Sequence, residues 1–485
     1  MISIVPARGN KMKVGLAATS TLLLSASPLR AMPLHDAFTT VLATNPSIRA
    51  ARIEVEVQQA GVDIARAEYR PTLTLVVNAN RYILTAIDPP RSHGEVGLGV
   101  DGELPIYTGR RASSAIALAR ARTDEAIAAL RMRENELIAD TATAHANLLR
   151  DSATLSLAQQ RETMIDVTLR ATRDRVAAGD ANDTDIHQTE ARRAAAQARI
   201  DAARGSLIAS EEAYRQLVGE PPGTVADVRP PPVPAPSIAA LAAIVAQSPS
   251  VAVADARLAA ARAEVRQAAA ERRPKLSFFS RYDYALEGTR SPTLSDTHRR
   301  NTFEVGVRFV VPLFQGGGLG ARLGHARARE ANAIEERTRV ERDVVAEIRS
   351  QYAAMTAADE RVQSLSRAVD ANREALAGVT EAVRFGDSDV IDQLNAQEEV
   401  VAAETDLAAA RRDRIALAYS ILALMGHATD TIDVPVQTAS TKIPGGRPIP
   451  GVMMLAGYEG WRLAPSPATG TKRQRAYGPP DIVMT

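Results

Sequence analysis

The chain has 485 residues, with 58 Lys+Arg against 57 Asp+Glu and a formal net charge of +1. So balanced a charge excludes a protein held to nucleic acid by a basic surface. The absence of cysteine excludes disulfides, thiol nucleophiles, Cys-ligated zinc or iron–sulfur centres and a lipid-modified N-terminal cysteine.

Hydrophobic residues make up 45% of the chain but aromatics only 4%, so its apolar content is mostly aliphatic and alanine, suited to long helices. No run of about 18 apolar residues occurs, and no membrane-spanning helix is predicted. Residues 1–31 read as a secretory signal peptide: Arg8, Lys11 and Lys13, an apolar Val14–Leu24, then small residues to Ala31. Met12-Lys13 offers a second start, and a cytosolic leader is the alternative. Without this segment, 54 basic residues face 57 acidic ones.

The remainder is a duplication. Asn45-Pro46 returns as Ser248-Pro249 and Pro71 as Pro274, an offset of 203. Leu104-Pro105-Ile106 returns as Val311-Pro312-Leu313, Val176…Gly179-Asp180 as Val383…Gly386-Asp387, and Val218-Gly219 as Met425-Gly426, an offset of 207. One insertion of four residues between Pro274 and Pro312 accounts for both offsets. The copies are residues 34–220 and 237–427. Between them, residues 221–236 hold seven prolines and read as an extended linker. Residues 428–485 have no sustained period and read as a poorly ordered tail.

Each copy carries a hairpin, with strands predicted at 72–84 and 95–104, and again at 275–286 and 302–311. Leu73, Leu75, Val77, Ala79 and Ile83 alternate with Thr72, Thr74, Asn78 and Asn80; Val96, Leu98, Val100 and Leu104 oppose Glu95, Asp101 and Glu103. In the second copy Leu276, Phe278, Tyr282, Tyr284 and Leu286 oppose Lys275, Ser277, Arg281 and Asp283. Phe303, Val305, Val307, Phe309 and Val311 oppose Thr302, Glu304 and Arg308. Strands with one apolar and one charged face match transmembrane β-strands; a hairpin half-buried on soluble helices is the alternative. Four strands cannot close a barrel, and an open edge cannot sit in lipid. Spanning therefore requires several copies to share one barrel: three copies for 12 strands, or two for the minimal eight.

No proline interrupts 106–220 or 313–434. Ile127, Leu130, Leu137, Ala144, Leu148, Leu155, Ala158, Ile165, Leu169 and Val176 keep an alternating 3/4 spacing, a coiled-coil seam. Ile334, Val344, Met355, Val362, Leu365, Leu376 and Val383 keep the same register, with exceptions at Glu134, Asp151, Arg337 and Asn372. A helix over about 106–173 would run on the order of 100 Å. It is predicted to stop at Gly179, and its counterpart at Gly386, with Thr184, Ser388 or a nearby Asp capping the next helix.

In this order and doubled, these features resemble the TolC family of outer-membrane channel-tunnels. The resemblance covers 34–427 and rests on Asn45-Pro46, Ala65-Arg66-Ala67-Glu68-Tyr69-Arg70-Pro71, Pro-Leu-Phe-Gln-Gly-Gly at 312–317, Leu422-Ala423-Leu424-Met425-Gly426, and Gly-x5-Asp at Gly179…Asp185 and Gly386…Asp392. It implies a mainly α fold with a small β part, in which a homotrimer builds a 12-stranded barrel in the outer membrane and an α-helical tunnel across the periplasm. It also implies docking of the helical tip, at Gly179, Asp180, Gly386 and Asp387, to a periplasmic adaptor and an inner-membrane ABC exporter or RND pump. Asp392 matches an aspartate ring of the family's constriction, and Asp185 is its first-copy counterpart. The second ring position here is Asn395, polar but uncharged.

Nothing points to an enzyme, a metal or a cofactor. No two of the seven histidines (His35, His93, His145, His187, His298, His325, His427) lie within a helical turn. Gly316-Gly317-Gly318 lacks the Lys-Ser/Thr of a phosphate loop, and no nucleophile elbow occurs. Three readings remain: a channel for type I protein secretion, which the 418–426 ending favours; a multidrug or metal efflux channel; and a structural coiled coil or adhesin.

Overall fold

The computed structural model describes residues 33–84, 91–179, 182–223, 225–233, 238–291 and 294–431. The signal segment 1–31, Asp180, part of the proline linker and the tail beyond 431 lie outside the described residues.

The elements run α1 (Leu34–Thr44), α2 (Pro46–Ala67), β1 (Thr72–Leu84), β2 (Arg91–Tyr107), α3 (Arg111–Ala178) and α4 (Asp183–Val218) in the first copy. The second has α5 (Ile238–Gln247), α6 (Pro249–Ala270), β3 (Lys275–Ser291), β4 (Leu294–Val310), α7 (Gly318–Phe385) and α8 (Val390–Met425). A short 3-10 turn, Ala428–Thr431, follows. The duplication is metrical: α3 and α7 have 68 residues each, α4 and α8 have 36, and α2 and α6 have 22.

The start of α2 follows directly from its sequence. Pro46 supplies the fixed φ of a first turn, and the Asn45 side chain accepts from Ser47 N at 2.9 Å. The same Asn45 donates from Nδ2 to the Leu217 carbonyl at 2.9 Å, tying this cap to the end of α4. The long helix starts at Arg111, five residues later than the proline-free run suggests, because β2 continues through a bulge to pair Tyr107 with Leu276. It continues to Ala178, since nothing breaks it before Gly179.

Ion pairs show the helix order. Arg52–Glu134 (3.7 Å) joins α2 to α3, and Arg193–Asp166 (2.5 Å) joins α4 to α3 further along. Arg257–Glu125 (2.8 Å) joins α6 to α3, and Arg161–Glu398 (2.5 Å) joins α8 to α3. Arg322–Glu271 (2.7 Å) and Arg373–Glu404 join α7 to α6 and to α8. The helices therefore form one layer four wide: α2 followed by α4, then α3, then α6 followed by α8, then α7. Alanines at 254, 256, 260, 261, 263 and 270 fill the buried side of α6, so neighbours approach closely. Large apolar side chains gather where the paired short helices meet. Leu34 and Phe38 of α1 pack there on Ile138, Tyr419 and Leu422, while Leu241 and Val245 of α5 pack on Val344, Ile348 and Ile421. α3, inside the layer, buries 23 residues; α7, at its edge, buries only six over the same length. The coiled-coil register is therefore mostly buried on α3 and mostly half-exposed on α7.

The four strands form one antiparallel sheet in the order β1-β2-β3-β4. Thr72 pairs with Glu103 and Lys275 with Val310, so the outgoing arms are offset by 203 and the returning arms by 207. The four extra residues thus sit in the second hairpin. Two per arm lengthen it by about 7 Å, and an even number leaves the side-chain phase unchanged.

Candidate functional site

Two regions carry the functional expectations: the turns joining α3 to α4 and α7 to α8, and the sheet at the other end of the long helices.

Both turns begin with glycine in the left-handed region, φ 86° at Gly179 and 82° at Gly386. Open space surrounds both positions, so backbone conformation and not packing calls for glycine. Asp387 N donates to the Ala382 carbonyl at 2.9 Å, closing the end of α7. Helix α8 is capped by Asp389, one of the nearby aspartates expected, and α4 by Asn182 instead of Thr184 or an aspartate. Asp185 and Asp392 stand at the third helical position of reciprocal capping boxes. The Asp185 carboxylate accepts from Asn182 N at 3.2 Å. Oδ2 of Asp392 accepts from Asp389 N at 3.3 Å and from Ser388 Oγ at 2.9 Å. The Gly-x5-Asp spacing is therefore a helix-stop, turn and helix-start signature, and each aspartate is held at a helix N-terminus where its charge is favoured. One turn further on, Asn395 accepts from Arg192 Nη2 of α4 at 3.0 Å.

A neighbouring cluster gave no sequence signal. Glu398 of α8 accepts from Arg161 Nη2 of α3 at 2.5 Å and from Arg199 Nη2 of α4 at 2.9 Å. Three helices supply it, so no local motif announces it. Together with Arg192–Asn395 it bridges α4 to α8 over α3, just above the tip.

On the sheet, the cross-strand rows of one face are mainly apolar and those of the other mainly polar. One face carries Leu75–Val100–Tyr282–Phe303 and Val77–Leu98–Tyr284, with Leu104–Phe278–Val307 nearer the helices. The other carries Thr74–Asp101–Arg281–Glu304 and Asn80–Glu95–Glu287. On this polar face Arg281 pairs with Asp101 at 2.6 Å, and Arg300 reaches Glu95 at 3.3 Å and Glu287 at 3.0 Å. Gly306 leaves room for the Phe279 ring, over which the Arg308 guanidinium lies 4.8 Å from the centroid. The apolar face is bare: Leu73 is 79% exposed, Val77 67% and Phe303 69%. Its rows run from Leu276 to Leu286, about 34 Å along the strand and about 25 Å at a tilt of ~40°, the height of a membrane-facing band. Leu98 lies on the apolar face and Glu103 on the polar one. Among the described residues, no helix is long and apolar enough to cross a membrane.

His145, midway along α3, is buried, with Nε2 3.2 Å from the carbonyl of Ala226 in the linker. Burial lowers its pKa, and the carbonyl contact opposes that shift. His427 meets Asp430 at 2.7 Å. Among the described residues, no group of three His, Asp or Glu side chains is placed to hold a metal.

The chain is 25% identical over 404 residues to the outer membrane efflux protein BepC of Brucella suis, spanning 82% of this chain and 86% of BepC. It is 24% identical over 412 residues to the proteases secretion protein PrtF of Dickeya chrysanthemi, spanning 80% and 87%. The open-state outer membrane channel MtrE of Neisseria gonorrhoeae superposes with a TM-score of 0.69 at 20% identity, covering 88% of this chain and 98% of MtrE. The family model for outer membrane efflux proteins matches residues 38–220 and 240–427, so both copies of the repeat match, and the chain belongs to that family of outer-membrane channels.

Proposed function

We propose that three copies of this chain close a 12-stranded barrel in the outer membrane and a helical tunnel below it, a passive conduit in a tripartite export system. The observation that carries this reading is the unfinished state of one copy. β1 and β4 are open edges of a sheet whose apolar face is bare, and α7 is an edge helix with six buried residues in 68. Lipid does not tolerate open edges. A head-to-tail ring joining β4 to β1 and α7 to α2 satisfies both edges with a single rotation.

The tip, with Gly179, Asp180, Gly386 and Asp387, is the surface offered to a periplasmic adaptor. Asp392, Asn395 and Asp185 line the constriction. The inner-membrane partner we favour is an ABC exporter of a type I system, because PrtF, similar over 80% of this chain, is a protein-secretion component. The likeness to BepC keeps efflux by a pump as the second reading. Deleting the gene separates the two: loss of a secreted polypeptide from the medium with unchanged drug tolerance supports secretion, and the reverse supports efflux. A monomer in outer-membrane fractions, with no heat-resistant trimer, would sink the shared barrel.

A further inference from the structure

The charges on the sheet are sorted by sign as well as by face. Among the side chains described, Glu95, Asp101, Glu103, Asp283, Glu287 and Glu304 all belong to the polar face. Among the described side chains, the apolar face carries no acid. The charged ones described on this face are Arg81 on β1 and Arg299 on β4, both exposed. Both lie at the hairpin-tip rim of the apolar band. Arg299 ends the row Ala79–Val96–Leu286, and Arg81 begins the next row, with Gly94, Gly288 and Thr297.

The other arginines described on the sheet find partners: Arg281 finds Asp101, Arg300 finds Glu95 and Glu287, and Arg308 lies over the Phe279 ring. At the helix-side rim Arg111 faces Glu68 at 3.7 Å and Arg322 faces Glu271 at 2.7 Å. Arg81 and Arg299 have neither an ion pair nor a side-chain hydrogen bond among the described residues. At the edge of the hydrocarbon an arginine costs little, and its planar fork matches a phosphate bidentately. They also stand on the two edge strands, which a closed ring brings side by side.

We propose that Arg81 of one copy and Arg299 of the next form a lipid-phosphate clamp, repeated around the barrel, that grips the phosphorylated headgroups of an anionic lipid in the outer leaflet. This rests on the shared-barrel reading. It assigns the barrel a bound lipid class and a fixed height in the membrane.

The test is native mass spectrometry of the detergent-solubilised protein titrated with diphosphoryl lipid A, with the same lipid stripped of phosphate, and with inorganic phosphate. We expect wild-type trimers to retain diphosphoryl lipid A. Arg81→Gln should weaken retention about fivefold, and Arg81→Gln with Arg299→Gln roughly thirtyfold. The paired Lys substitutions should keep most of it. Equal retention by the double Gln variant, or of the dephosphorylated lipid, would overturn the clamp. So would inorganic phosphate binding as tightly as the lipid, which would make this a free-anion site. The same spectra report mass: a trimer with unchanged lipid retention sinks the clamp alone, whereas a monomer sinks the shared barrel and the clamp with it.

Discussion

At the scale of single residues, the tip glycines and His145 show opposite kinds of constraint. Gly179 and Gly386 have no neighbours to clash with, so alanine there meets only the backbone cost of the left-handed region, roughly 1 kcal/mol. A large side chain at Gly386 should therefore leave the trimer folded while filling the turn offered to the adaptor. We expect Gly386→Arg to abolish crosslinking to the adaptor in cells at unchanged trimer yield; undiminished crosslinking would leave this glycine as a helix stop alone. His145 is constrained by burial instead. Its folded-state pKa lies below the ordinary value of 6.5, so the fold favours the neutral ring. Its contribution to stability is complete above about pH 6.5 and is lost as the pH falls through the lowered folded value. Partial desolvation raises the pKa values of the half-buried Glu134 and of Asp140, and both act in the opposite sense on acidification. The informative measurement is therefore a difference between proteins. Between pH 7 and 5, the melting temperature of wild type should fall more than that of His145→Gln; parallel curves would mean that this histidine does not tune stability.

At the scale of elements, the sheet offers the sharpest substitution pair. Leu98 sits between Val77 and Tyr284 in an apolar row, while Glu103 lies beside Thr72 on the polar face. Leu98→Arg sets a charge against hydrocarbon at roughly 2–4 kcal/mol near the midplane, whereas Glu103→Arg stays in water. Trimer yield in membranes should fall for the first and hold for the second; equal yields would remove the assigned faces. These faces were legible in the sequence because a period of two survives at almost every position. The repeats were legible because offsets of 203 and 207 recur across distant elements. The height of each hairpin was not legible, since β2 and β3 run on past the predicted segments into polar residues such as Glu287, which strand pairing and the ion pair with Arg300 hold in place. The start of α3 was misplaced because the absence of proline cannot distinguish the end of a strand from the start of a helix. The Arg161–Glu398–Arg199 bridge was invisible for another reason: its members come from three helices, and each alone reads as a solvated charge. The Gly-x5-Asp spacing was visible, but its local work as a capping box appears only with hydrogen bonds in hand.

At the scale of the whole molecule, the gate exists only if three copies meet at their tips. Threefold symmetry then brings three Asp392 carboxylates into one ring. At ~6 Å separation each pair repels by about 0.7 kcal/mol in bulk water and nearer 3 kcal/mol at an effective dielectric constant of about 20. Such a ring attracts cations and favours their passage over anions. The capping role of Asp392 complicates the obvious test, because alanine removes both the charge and the bonds to Asp389 N and Ser388 Oγ, at a cost of about 1 kcal/mol to the helix start. Asparagine keeps an acceptor at that position and removes only the charge. We therefore expect purified wild-type channels in planar bilayers to be cation-selective and blocked by multivalent cations from the periplasmic side. Asp392→Asn should lose most of that block while keeping wild-type melting. Asn395→Asp should strengthen the block by adding a second charged ring one turn on, even with Arg192 within 3.0 Å to screen it. If Asp392→Asn keeps the selectivity and the block of wild type, the carboxylate serves as a helix cap only, and the constriction must be sought among other side chains of the tip.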